Sequence, residues 1–175
     1  MRSPLFVMAA AALATALALP AVADTTGDTI VTFTITAGAL AITVPPTANL
    51  GSAAAGAASI SGQLGPVTVT DARGALVASW TVTVSSTSFT TGGATPAETI
   101  PNSAVNYSAG LPTSTTGLGV FTPGLPGSLA SPRTAFSLAA GIGNNSATWN
   151  PTITVNLPAA VVTGVYTGTI THSVA

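Results

Sequence analysis

The sequence predicts an all-β fold, an antiparallel, immunoglobulin-like β-sandwich of about 8–10 strands. Three observations point to it. Apolar and hydroxyl side chains alternate with period two in several stretches, most cleanly over residues 76–85. There Leu76, Ala78, Trp80, Val82 and Val84 share one face, and Ser79, Thr81, Thr83 and Ser85 share the other, as in a half-buried strand. Turn signals built from Gly, Pro, Asn and Ser recur roughly every 8–12 residues. No stretch shows a convincing amphipathic helix pattern, and no fixed-period repeat points to a solenoid or propeller.

The first 23 residues are read as a secretory signal peptide. Met1-Arg2 is a short positive start, residues 5–19 are an apolar run, and Ala21-Val22-Ala23 is a small-x-small cleavage site before Asp24. The run is short for a membrane span, which needs about 20 apolar residues. Residues 24–175 are then a single sandwich domain, exported yet without cysteine. A chain of that kind relies on packing, which suits a bacterial surface protein.

In the mature chain, residues 30–36 (IVTFTIT) alternate Val31, Phe33 and Ile35 against threonines and predict the first strand. Leu40, Ile42 and Val44 repeat the pattern until Pro45-Pro46 stops it. Residues 48–58, rich in Ala, Gly and Ser, are too small-sided to pack and read as a connection. After a short strand over 60–64, residues 67–85 form a hairpin-like unit whose turn is Asp71-Ala72-Arg73-Gly74. Val105 and Tyr107 mark a strand within 103–109. The Gly- and Pro-dense residues 110–132 read as a long surface loop with at most one short strand. A strand over 134–140 ends at Gly141-Ile142-Gly143. Residues 147–157 form another, with Asn150-Pro151 at an edge position or a bulge. In the last, residues 165–174, Tyr166, Gly168, Ile170, His172 and Val174 share the apolar face.

Charge is scarce. Only 4% of residues are charged, the net charge is −1, and the cations are Arg2, Arg73 and Arg133 with no lysine. Nucleic-acid binding and a polybasic membrane contact both need a basic footprint, so both classes are excluded. Besides His172, the mature chain offers only Asp24, Asp28, Asp71 and Glu98 as metal donors, and no calcium loop is present. No G-x-S-x-G elbow or paired-carboxylate pattern marks a catalytic centre, so the protein is read as no enzyme, with no cofactor.

The run Val69-Thr70-Asp71-Ala72-Arg73-Gly74 followed by Ser79-Trp80-Thr81-Val82 resembles the first half of the WxL domain of Gram-positive surface proteins, where a D-x-R segment precedes a Trp-x-Leu strand. The ending Gly164-Val165-Tyr166-Thr167-Gly168-Thr169-Ile170-Thr171 is similar to that family's G-x-Y-x-x-x-[LI]-T segment, which runs into a second Trp-x-Leu. The similarity spans about residue 30 to the end. It implies an extracellular protein, attached non-covalently to cell-wall peptidoglycan and working with membrane-anchored companion proteins. Two departures stand out: Val82 occupies the first leucine position, and His172-Ser173-Val174 replaces the second motif.

The candidate binding residues are Trp80, Asp71, Arg73, Trp149, Tyr166 and His172, each with a structural reading first. Trp80 and Trp149 suit core packing. Asp71 and Arg73 suit an ion-paired turn, although an arginine there could hold a partner's carboxylate. His172 suits an aromatic filler in the tryptophan position. Two functions are compatible with these residues. One is a secreted, wall-associated module that binds peptidoglycan through a WxL-like domain. The other is a structural subunit of a surface fibre that self-associates through strand edges, which low charge and threonine-rich strands leave poorly protected.

Overall fold

The computed structural model describes residues 26–175, so the predicted signal peptide over residues 1–23 lies outside the described residues. The chain divides into two compact units, Met1–Ile35 and Thr36–Ala175. In the first, residues 26–35 belong to no helix or strand. This corrects the strand predicted over residues 30–36. Ile30, Val31, Phe33 and Ile35 are 92%, 79%, 84% and 85% exposed. Alternation gives a segment an apolar face, but a strand exists only where a neighbour takes its backbone groups.

The second unit is built from twelve strands. They are β1 (Leu40–Thr43), β2 (Ser59–Gln63), β3 (Val67–Asp71), β4 (Ala78–Ser86), β5 (Phe89–Thr90), β6 (Thr99–Ile100), β7 (Val105–Ser108), β8 (Pro112–Pro123), β9 (Gly127–Ser128), β10 (Arg133–Trp149), β11 (Thr152–Asn156) and β12 (Ile170–Val174). Single 3-10 turns occupy Pro96–Glu98 and Asn102–Ala104. The main sheet runs β1-β3-β10-β4-β12, with β8 also on β10, and the second runs β2-β11-β7-β9. Strands β5 and β6 form a small pair of their own. Every pairing is antiparallel, so the fold is all-β and sandwich-like, as expected.

Strand β10 organises the main sheet. Its C-terminal part pairs β3, its N-terminal part pairs β4, and β8 follows the opposite edge along almost its whole length. Since β3 and β4 are both antiparallel to β10, they run in the same direction, end to end. The predicted hairpin over residues 67–85 is therefore corrected: residues 72–77 link two collinear strands without reversing the chain. The link also leaves Leu76 82% exposed, although it continues the buried face of β4 in sequence.

Further boundaries differ, beginning with the last strand, which starts at Ile170 and not at residue 165. Residues 110–132 contain the twelve-residue β8, where a loop was expected. Its Ser, Thr and Gly content shows no alternation because most of it faces solvent, and β10 supplies the ladder. Gly141-Ile142-Gly143 do not end a strand. β10 passes through them with register shifts after Leu138 and Ala139. Asn150-Pro151 is neither edge nor bulge but the crossing between sheets, from β10 in the main sheet to β11 in the second. The connection over 48–58 and the stop at Pro45-Pro46 are found as expected.

The core lies between the sheets. Trp80, Val82, Val84, Phe136, Leu138 and Trp149 from the main sheet meet Val105, Tyr107, Ile153 and Val155 from the second. Each such side chain contributes about 1.5–3 kcal/mol on leaving water. Phe136 stacks on Trp149 at 4.7 Å between ring centroids and lies 6.3 Å from Trp80, so the two tryptophans flank one phenylalanine.

Candidate functional site

The candidate residues fall into two hydrogen-bonded clusters and one isolated position. The first cluster forms where β3 ends beside β10, with Asp71 opposite Asn145. Arg73 Nε donates to Asp71 Oδ1 at 2.9 Å and Nη2 to Oδ2 at 2.8 Å, a two-pronged ion pair. The Arg73 backbone N–H adds a third bond to Oδ1 at 3.1 Å. Gly74, at φ 64°, turns the chain immediately after the pair.

Asp71 is 1% exposed, while the Arg73 side chain is 38% exposed and also donates to the Ser79 carbonyl at 2.9 Å. The guanidinium holds the Asp71 carboxyl below its ordinary value, against the opposing effect of burial. Asn145 donates to Asp71 Oδ2 at 3.4 Å and accepts the Trp80 indole N–H at 2.8 Å. The carboxylate and the indole of the first sequence motif are thus joined through an asparagine. Asn145 was missed as a site residue. Its only mark in the sequence is its place in Asn144-Asn145-Ser146, a pattern that also describes a sugar acceptor.

The second cluster crosses the sandwich. Trp149 Nε1–H donates to the Tyr107 hydroxyl at 3.0 Å, and that hydroxyl lies 3.1 Å from His172 Nε2. With the indole as donor, the tyrosine proton points to an unprotonated His172 Nε2. Burial fits this arrangement, since it pushes the His172 imidazolium down to about 4 and the Tyr107 phenol up to about 12. Trp149 and His172 belong to the main sheet and Tyr107 to the second, so this polar chain ties the sheets together inside the core.

Tyr166 stands apart from both, its hydroxyl donating to the Val162 carbonyl at 2.9 Å. Each of the six candidates takes part in an internal hydrogen bond. Trp80 and Trp149 are 2% and 0% exposed, which assigns both to the core. Among the described residues no group of three or more His, Asp or Glu converges as metal ligands. Phe33 is the one exposed aromatic among them.

What remains available for contact is surface. β8 presents Thr113, Ser114, Thr115 and Thr116 to solvent and then Leu118 and Val120, which are 66% and 60% exposed. Comparison with protein-family models, with curated proteins and with solved structures finds no match to this chain.

Proposed function

We propose that the protein is a non-catalytic, exported cell-surface module that associates non-covalently with the cell wall. One observation carries the reading. The ionisable and aromatic groups of the candidate set are spent on internal bonds, from Asp71–Arg73–Asn145–Trp80 to Trp149–Tyr107–His172. Side chains so engaged support a fold and leave recognition to its surface. The hydroxyl-lined β8 suits peptidoglycan, whose sugars and peptides present hydroxyl, amide and carboxylate groups. The leader-like residues 1–23 and the resemblance to WxL domains support export and wall association.

Sedimentation with purified peptidoglycan tests this reading. The exported protein is expected in the pellet, and Leu118→Asp with Val120→Asp is expected to return most of it to the supernatant while leaving the melting temperature nearly unchanged. Protein that stays soluble at every peptidoglycan load removes the wall-binding function. Trp80→Ala is the wrong probe, because it opens a cavity in the core whatever the protein binds.

A second reading, a structural subunit that associates through strand edges, is favoured by a different observation. Residues 30–35 carry an apolar strand pattern, exposed and outside any ladder.

A further inference from the structure

The sandwich is open along one side. Two adjoining cavities of about 330 and 1030 Å³ share Ala48, Leu50, Phe89, Thr167 and Gly168 in their walls. Ile170 and His172 of β12 line the smaller, and Ile60 of β2 lines the larger. Both strands are terminal in their sheets. The cleft therefore combines an apolar floor with strand edges that carry no further ladder among the described residues. No aspartate, glutamate, lysine or arginine lines either cavity.

The same chain carries a segment of matching chemistry. Residues 30–35 are uncharged, alternate Val31, Phe33 and Ile35 with threonine, and expose those three side chains almost fully. Val31 to Ile35 extended spans about 13 Å. Such a segment needs a sheet edge for its backbone and an apolar trough for one row of side chains, and the cleft offers both.

We propose that residues 30–35 of one copy insert as an added strand into the cleft of a second copy, beside β12, with Val31, Phe33 and Ile35 facing the floor. This rests on the strand-edge reading above and names its donor and acceptor. Donor and acceptor are different surfaces of each copy, so the contact is heterologous and propagates head to tail. Only Thr36 and Ala37 separate Ile35 from Gly38, whose N–H is held by the Ala72 carbonyl at 2.8 Å. Each inserted strand is thus followed within three residues by the sandwich of its own copy.

Light scattering across a concentration series of the exported protein tests the assembly. The expected result is a mass that rises with concentration through a ladder of oligomers. Val31→Asp with Phe33→Asp is expected to weaken association by about 100-fold or more, since a carboxylate buried in an uncharged trough is left unpaired. Its melting temperature as a monomer should be unchanged.

The cysteine-free sequence permits a direct check of the pairing. Mixed single variants Val31→Cys and Ala48→Cys are expected to form a disulfide-linked heterodimer. A monomer at all concentrations overturns the inference. So does cross-linking confined to one chain carrying both cysteines, which would place the segment on its own sandwich. Oligomers that survive the double aspartate variant overturn it too, by locating the contact elsewhere. Peptidoglycan sedimentation of the monomeric variant scores wall binding separately, so the two proposals fail independently.

Discussion

Asp71 is a carboxylate almost wholly removed from water, and its charge is met by the Arg73 fork, the Arg73 N–H and the Asn145 amide. Removing the arginine leaves that charge buried with weak partners. Arg73→Ala is expected to lower the urea midpoint, and Arg73→Lys to lower it less, since an ammonium keeps the charge without the fork. An unchanged midpoint for Arg73→Ala would show the pair to be ornamental. The Asp71 value is depressed, so its stabilisation is present above 3.8 and is lost as pH falls through the lower folded value. His172 acts in a higher window. Its folded value is pushed down from 6.5 to about 4, so the unfolded chain binds the extra proton between those limits. Stability is therefore expected to fall by about 2 kcal/mol, for this half-buried ring, as pH drops from 6.5 to about 4. His172→Gln keeps an acceptor for Tyr107 and should flatten the slope in that window, read as melting temperature against pH. A slope unchanged by this substitution would assign the proton to another group. The ion pair could be read from Asp71-Ala72-Arg73, because the partners are two residues apart. Asn145 and Tyr107 could not, since each meets its partners across 42 to 74 residues of chain.

At the scale of elements, β10 decides the main sheet, and its departures from regularity are built into β8. Gly117 has φ 87°, and a Cβ there would lie 2.6 Å from the Asn144 carbonyl oxygen and 2.9 Å from Asn145 Cα. Backbone cannot yield as a side-chain tip can, so β8 follows the irregular stretch of β10 only with glycine at this point. Gly117→Ala is expected to destabilise by about 2 kcal/mol or more, from the left-handed backbone and the clash together. Its urea midpoint measures this, and a midpoint equal to wild type would mean that β8 can lift off β10 without cost. These glycines also give β8 the look of a loop in the sequence: Gly117 and Gly119 punctuate it like turns, while serving a bulged ladder. Residues 30–36 are the converse case, where good alternation carries no pairing among the described residues. Strand β4 was legible because its partners on both sides let every second residue reach the core.

For the whole molecule, the all-β class, the near absence of charge and the scarcity of catalytic donors follow from the sequence alone, because they depend only on composition and on period-two burial. Several individual residues were also decided there. A face holding Ala78, Trp80, Val82 and Val84 has no other stable place than between two sheets. Sequence could not say which strands are neighbours, because pairing is a contact between distant residues and period two is the same for every partner. Tertiary structure alone therefore decided that β3 and β4 are collinear along β10 and that Asn150-Pro151 passes the chain from sheet to sheet. It also decided that Trp80 reaches Asp71 through Asn145, and that Trp149 reaches His172 through Tyr107. The two motif strands, joined in the sequence only by likeness, pair directly, with His172 opposite Val84. Asp71, Trp80 and Trp149 lost any claim to a binding face once packing enclosed them. The apolar segment over residues 30–35 is instead left exposed, since burial is a property of neighbours that no local pattern contains.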